Sequence, residues 1–200
     1  MITPAHILNG RLPGGMSYAE YEQLLVVYAA RRPEDAASEE DREHILTGPL
    51  NLQRSSRIRR TYAPSADILR AVERVNAPQT WMVLSEPWCG DSAQCVPYIA
   101  GIAGLSGSID LRIFLRDANP DLMDLCLTGG KRSIPKLMAF DASGEELFRW
   151  GPRPREAQEL VDRMLGEGVE KRVRLERLHR WYGKNRGRSI EEELLHLLLR

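Results

Sequence analysis

The amino-acid sequence predicts an α/β fold in which a mixed central sheet is flanked by helices, with extra helices at both ends of the chain. Helical spacing and β-prone runs alternate between residues 61 and 166, and a short turn joins two of the β-prone runs. The segments on either side show helical spacing alone. We therefore predict a helical N-terminal extension at 1–60, an α/β domain at 61–166 and a C-terminal helical extension at 167–200.

The N-terminal extension is predicted to hold three helices. Ser17 and Glu20 form a capping box that starts a helix running to about residue 32. Ser38 is expected to cap a short acidic helix, and residues 50–60 to form a third. Four arginines project from the third helix: Arg54, Arg57, Arg59 and Arg60. We interpret them as a solvated helix face, because a nucleic-acid footprint usually adds aromatic or glycine-rich elements.

The α/β domain is predicted to begin with a helix capped by Ser65 and a strand at 80–84. A longer helix from about 89 to 104 follows, and Pro97 should bend it because the proline ring removes one backbone donor. The remaining predicted elements are a strand at 110–115, a short helix from Asn119 to the Gly129-Gly130 pair, a hairpin of strands at 136–140 and 146–150, and a helix at 155–165.

The C-terminal extension is charged and helical to Trp181. It is predicted to break at 183–187 and to restart from Ser189, which forms a capping box with Glu192. Leucines crowd the end of this last helix, so it needs a surface to cover. We expect it to dock on its own domain, with a homodimer through the terminal helices as the alternative.

Composition limits the classes of partner. The chain has 200 residues, 42% of them hydrophobic, and its 28 basic residues balance 28 acidic ones, so we expect no nucleic-acid partner. The segment 1–15 lacks the pattern of a signal peptide and the apolar runs are too short to cross a bilayer, so we expect a cytoplasmic protein with no membrane partner. The four scattered histidines share no ligand spacing, and we predict no metal site and no cofactor.

The candidate nucleophile is Cys89, at the junction of a predicted strand and a predicted helix. The free amides and the dipole of a helix N-terminus favour a thiolate, which is the reactive form of cysteine. The three cysteines do not make a disulfide framework, because their number is odd and their spacings are unmatched. We interpret Cys95 and Cys126 as buried hydrophobic residues, with a distant resolving thiol as the alternative role for Cys126.

Four features of the chain resemble the thioredoxin superfamily. They are the turn Trp88-Cys89-Gly90, Pro97 eight residues after the cysteine, the segment Ser133-Ile134-Pro135, and Gly151 after the last strand. In that superfamily the corresponding features are the active-site turn, a helix-kinking proline, a cis-proline segment and a conserved glycine. The segments 88–94 and 150–154 are also similar to a bacterial branch of thioredoxin family proteins that has a helical N-terminal extension.

The resemblance implies a thioredoxin-like fold and thiol-disulfide exchange. Cys89 would then be the nucleophile, and a cis Pro135 would leave a backbone edge free to pair with an extended substrate. The residues expected to contact the substrate are Trp88, Gly90, Asp91, Ile134 and Gly151.

The sequence departs from the dithiol pattern of that superfamily. Ser92 occupies the position of the second cysteine, and its hydroxyl can donate a hydrogen bond but cannot resolve a disulfide. Cys95 lies about 240 degrees round the helix from Cys89, which rules out a bridge between them. Val83 stands where many thioredoxins carry a buried aspartate, so that base is missing. We therefore predict a monothiol motif, with Ser92 and Pro135 acting beside Cys89.

Charged residues near the motif are expected to tune the thiol. Asp91 should raise the pKa of Cys89, because its carboxylate repels a thiolate. Arg132, Lys136 and Arg153 belong to the expected cis-proline and Gly151 loops, and they are the candidates to offset that charge.

Three functions follow, in order of preference. The first is monothiol exchange with protein or low-molecular-weight disulfides, completed by glutathione, a similar thiol or a second protein. The second is a redox-inert binding module that holds a partner at the Pro135 edge. The third comes from the similarity of Cys89-Gly90-Asp91-Ser92 to the Cys-Gly-x-Ser turn of monothiol glutaredoxins, which share a [2Fe-2S] cluster with glutathione and a second subunit.

Overall fold

A computed structural model describes residues 15–200 of the chain, so our reading of the segment before residue 15 lies outside the described residues. Four strands form one sheet in the order β2-β1-β3-β4: β1 Gln79–Ser85, β2 Ile109–Leu115, β3 Lys136–Asp141 and β4 Glu146–Trp150. β1 is parallel to β2 and antiparallel to β3, and β3 and β4 form the predicted hairpin. The predicted mixed sheet flanked by helices is confirmed.

Eight α-helices surround this sheet in the described part of the chain. They are α1 Tyr18–Ala29, α2 Glu39–Thr61, α3 Ala66–Glu73, α4 Gly90–Ala103, α5 Pro120–Asp124, α6 Arg155–Gly166, α7 Lys171–Asn185 and α8 Arg188–Leu198. Ser17 and Glu20 form both bonds of the predicted capping box, and the Ser38 and Ser65 side chains cap α2 and α3. Within residues 15–200, no helix is long and apolar enough to span a membrane.

The prediction of two helices between Ser38 and residue 60 is wrong, because α2 continues through Pro49 as one helix. Its buried residues recur every three or four positions on both sides of the proline, from Ile45 to Ile58. Packing of this continuous face outweighs the lost backbone hydrogen bond.

The predicted bounds of two other helices are also wrong. α5 ends at Asp124, before the glycine pair, because Thr128 and Lys131 exchange backbone hydrogen bonds in a separate bridge. α7 continues through Gly183, and the chain turns at Arg186 and Gly187, which both have positive φ.

The predicted capping box at the start of the last helix is wrong as well. Gly187 precedes α8, so Ser189 lies inside the helix. Its hydroxyl bonds to Asn185 and Glu156 instead of capping.

Helix α8 packs against its own domain through apolar and polar contacts. Ile190 and Leu194 are buried in the main core. The Glu191 carboxylate accepts hydrogen bonds from the Tyr62 hydroxyl at 2.6 Å and the Ser65 amide at 3.0 Å, and Glu193 accepts from the Trp150 indole at 2.6 Å.

The sheet separates two hydrophobic clusters, because successive β1 side chains point to opposite faces. Trp81 and Val83 belong to the larger cluster, which also contains Cys95 and parts of the terminal helices. Met82 and Leu84 belong to the smaller cluster, which also contains Cys89, Cys126 and Ile134. The burial predicted for Cys95 and Cys126 is confirmed, and all three cysteines are free.

Candidate functional site

Cys89 is the residue immediately before α4. Its sulfur accepts the Ser92 backbone N–H at 3.4 Å, and its thiol donates to the Ile134 carbonyl at 3.5 Å. The residue is 8% exposed. The sulfur therefore sits at the head of a helix, between that helix and the loop that leads into β3.

The loop opposite Cys89 is shaped by a proline and a glycine. The Ile134–Pro135 peptide bond is cis. Gly151 follows β4 with φ of +102°, and a Cβ built there would lie 2.4 Å from the Pro135 carbonyl oxygen. A residue without a side chain is required at this position, because the backbone angle and the close approach both exclude a Cβ.

Asp91 is held in a partly buried ion pair. The Arg153 guanidinium lies 2.6 Å from its carboxylate, and the Tyr182 hydroxyl donates to the same carboxylate at 2.8 Å. The Cys95 thiol in turn donates to the Tyr182 oxygen at 3.6 Å. A residue of the C-terminal extension therefore completes the surroundings of the motif.

The environment of Cys89 disfavours its thiolate. Burial, followed by the Asp91 carboxylate, raises the pKa of Cys89 to about 11. The Ser92 and Asp91 amides, and a hydrogen bond that the Ser92 hydroxyl can make to the charged sulfur, act in the opposite direction but are outweighed. The sequence predicted the direction of the Asp91 effect, whereas the larger effect of burial depends on tertiary packing.

Of the three basic residues predicted to offset Asp91, Arg153 contacts it and the other two bind elsewhere. The Lys136 ammonium is buried and donates to the Thr128 hydroxyl at 2.7 Å and the Gly151 carbonyl at 2.9 Å, and burial lowers its pKa. Arg132 pairs with Asp124 at 2.7 Å. Lys136 and Arg132 therefore do not offset the Asp91 charge by direct contact, as had been predicted for them.

Helix α2 contacts Trp88 and the proline that precedes it. The His44 ring stacks on Trp88 at a centroid distance of 4.2 Å, and the Arg116 guanidinium lies 4.6 Å from the Trp88 ring centroid. The Asn51 amide donates to the Pro87 carbonyl at 3.2 Å. The sequence assigned no role to His44 or Asn51, and the helical spacing of α2 is the signal that places both on the same side.

Gly90 faces α7. A Cβ built at Gly90 would lie 2.9 Å from the His179 Cε1 atom, so glycine allows this helix to approach the head of α4. His179 Nδ1 lies 3.3 Å from the Gln94 amide nitrogen. Burial, with the nearby Arg54 and Arg153 charges, lowers the pKa of His179 to about 4, which keeps the ring neutral at neutral pH.

Ser92 and Cys126 are the remaining residues for which a role beside Cys89 was considered. The Ser92 hydroxyl is buried and has no hydrogen-bond partner among residues 15–200. Cys126 is fully buried, its thiol donates to the Leu122 and Met123 carbonyls at 3.5 Å, and burial raises its pKa to about 11. The buried Cys126 thiol would have to break these bonds before it could resolve a disulfide.

Comparison with known proteins agrees with this architecture. A family model described as thioredoxin matches residues 39–165. A solved structure of a Pseudomonas aeruginosa protein of unknown function is 14% identical, covers 99% of this chain and 98% of its own, and has a TM-score of 0.65. An HIV epitope scaffold is 17% identical, covers 92% of this chain and 98% of its own, and has a TM-score of 0.55. No curated protein matches the sequence. The structural similarity extends over the terminal helices and concerns the fold alone.

Proposed function

The chain belongs to the thioredoxin family, and on that premise we propose that it performs thiol-disulfide exchange by a monothiol mechanism with Cys89 as the nucleophile. The observation that carries the proposal is the position of the Cys89 sulfur, which accepts the Ser92 amide at the head of α4 and lies beside the Ile134 carbonyl. A helix N-terminus stabilises the negative charge of a thiolate, so this position suits a nucleophile.

The exchange takes place in two displacements. The Cys89 thiolate attacks one sulfur of a substrate disulfide, a bond forms between the two sulfurs, and the other substrate sulfur leaves with the electron pair of the broken bond. An external thiolate, from glutathione, a similar small thiol or a second protein, then attacks the substrate sulfur of the mixed disulfide and releases Cys89 as a thiolate. Ser92 cannot take this second role because it has no sulfur.

Two residues are proposed to assist these displacements. The Ser92 hydroxyl, which has no hydrogen-bond partner among the described residues 15–200, can donate a hydrogen bond to the Cys89 sulfur as it becomes charged. The backbone next to Pro135 can pair with an extended substrate, which would bring the substrate disulfide to the sulfur. Trp88 and Gly151 border the same turn and are proposed to contact the substrate.

The proposal implies a thiol of low reactivity in the free protein. At a pKa of about 11, roughly one molecule in 10⁴ carries the thiolate at pH 7. A substrate that displaces the Asp91 carboxylate, or that brings a positive charge or a hydrogen-bond donor to the sulfur, would raise this fraction on binding.

Reaction with a disulfide tests the proposal directly. In the full chain carrying Cys95→Ala and Cys126→Ala, we expect oxidised glutathione to give a mixed disulfide at Cys89, detected by mass spectrometry. The further change Cys89→Ser should abolish the adduct. Absence of exchange with oxidised glutathione and with other model disulfides at neutral pH would contradict the proposal.

The raised pKa of Cys89 favours a second candidate, a redox-inert binding module. In that case Cys89 is a packing residue, and the Pro135 edge holds a partner without exchange. Cys89→Ala separates the two, because a binding module should keep its partner with unchanged affinity whereas an exchange protein should lose its covalent partners. Glutathione adducts at Cys89 would argue against the binding module.

A further inference from the structure

A cavity of about 290 Å³ lies between α2, α4 and α7, next to the head of α4. Three arginines of α2 line it: Arg54, Arg57 and Arg60. Their spacing of three residues places them on one face of the helix. Gln94 of α4 and His179 of α7 line the other side.

The three guanidinium groups have no acidic partner among residues 15–200. No carboxylate lines the cavity, and none of the three forms an ion pair in that part of the chain. Arg59, on another face of the same helix, does pair, with the Glu22 carboxylate at 2.5 Å. The cavity therefore gathers three positive charges that no carboxylate among residues 15–200 contacts as an ion pair.

Arg54 is not simply a solvated side chain on the helix surface. Its guanidinium is partly buried and makes a hydrogen bond at 3.0 Å to the Asn51 side chain, which is neutral. It also lies 3.7 Å from the position of a Cβ built at Gly90. Burial and the Arg57 charge lower the pKa of Arg54, and they outweigh the Asp91 carboxylate, which acts in the opposite direction. The lowered pKa reflects the cost of holding these cations together.

The chemistry of the lining identifies what would relieve that cost. Guanidinium groups form paired hydrogen bonds with the oxygens of planar carboxylates and of tetrahedral phosphates. A cleft lined by charge of one sign concentrates its field and attracts the opposite charge. The Gln94 amide adds a neutral polar group on the opposite wall, and the neutral His179 ring adds no competing charge.

We propose that this cavity is a binding site for a small anionic molecule bearing phosphate or carboxylate groups. Its volume is at the lower limit for ligand pockets, which favours a ligand of few atoms. The proposal does not depend on the exchange chemistry proposed for Cys89, because binding of an anion does not need a reactive sulfur.

Isothermal titration calorimetry of the full chain at low ionic strength tests the site, with inorganic phosphate and citrate titrated separately. We expect saturable binding of at least one of them, and the one that binds identifies the preferred group. Arg57→Gln with Arg60→Gln should weaken it at least about tenfold, or about 1.4 kcal/mol. Arg59→Gln is the matched control, because it removes one positive charge from the same helix outside the cavity, and it should change the affinity by less than about twofold.

Two further variants keep the result interpretable. Cys89→Ser should bind the anion as the wild type does, so failure of the exchange proposal would leave this one standing. Arg57→Lys keeps the charge and the fold but loses the paired donors, and should give an intermediate affinity. The proposal is overturned if neither anion binds the wild type saturably, or if Arg59→Gln weakens binding as much as the double variant does.

Discussion

Replacing Asp91 with Asn should lower the pKa of Cys89. The change removes the carboxylate that raises this pKa and leaves the Arg153 guanidinium in place. Asn keeps an oxygen that can accept the Tyr182 hydroxyl, so the surrounding hydrogen bond is retained. The electrostatic contribution of Asp91 is therefore changed with little change of shape.

The size of the effect follows from the spacing of the two residues. Two positions apart at the head of a helix, the charges of Cys89 and Asp91 are about 6 Å to 10 Å apart. With an effective dielectric constant of about 20, their repulsion is about 1.7–2.8 kcal/mol, which corresponds to a pKa decrease of about 1–2 units. Because burial is the larger cause of the raised pKa, the value should fall from about 11 to about 9–10 and not to neutrality.

The assay is the pH dependence of Cys89 alkylation by iodoacetamide, in the full chain with Cys95→Ala and Cys126→Ala. Asp110→Asn is the matched control, since Asp110 also pairs with an arginine, Arg112 at 2.9 Å, but lies near the opposite end of the sheet. It should leave the Cys89 pKa unchanged. An unchanged or increased pKa in Asp91→Asn would refute the electrostatic reasoning.

Three further changes test the packing around the site. Gly151→Ala should destabilise the protein by about 3 kcal/mol or more in urea unfolding, because φ is positive and the added Cβ would clash with a carbonyl oxygen. Gly129→Ala is the control and should cost about 1 kcal/mol, because φ is also positive there but the surrounding space is open. Tyr182→Phe should cost about 1–3 kcal/mol in the same assay, because a buried carboxylate loses a hydrogen-bond donor. The pKa of His179 is about 4 in the folded protein and its ordinary value is 6.5. Between these two pH values the unfolded chain binds more protons than the folded protein, so acid favours unfolding. The contribution of neutral His179 to the free energy of unfolding is complete above pH 6.5 and should fall by about 2 kcal/mol from pH 7 to pH 5. His179→Gln should remove that part of the pH dependence, and a wild type and variant with equal pH dependence would contradict the assignment.

Local patterns were sufficient to predict the sheet and the position of Cys89 at the junction of β1 and α4. Strand runs, the hairpin turn and the Ser17 and Ser65 caps depend on neighbouring residues, and the structure has them where the sequence places them. Pro49 misled the prediction of α2, because helix propensity does not include the tertiary packing that carries the helix through a proline.

The surroundings of the motif could not be predicted in the same way. Tyr182 contacts Asp91 across 91 positions of sequence, and a helical pattern shows which face of a helix is buried but not which residue it meets. The burial that dominates the Cys89 pKa is likewise a product of the whole fold.

Helices α2 and α7 reach the motif on either side of Cys89. From α2, Asn51 holds the carbonyl of Pro87, two positions before the cysteine, whereas α7 brings Tyr182 to Asp91, two positions after it. The Asn51 amide is the partner of the Pro87 carbonyl, and Tyr182 is one of two groups, with Arg153, that bind the Asp91 carboxylate. Moving either helix therefore removes a hydrogen bond from a buried polar group. The turn is thus fixed by residues outside the sequence motif. Two proteins with the same motif but different residues at these positions of α2 and α7 would hold this cysteine in different surroundings. Its reactivity therefore has to be derived from the packing of α2 and α7 as well as from the four residues of the motif.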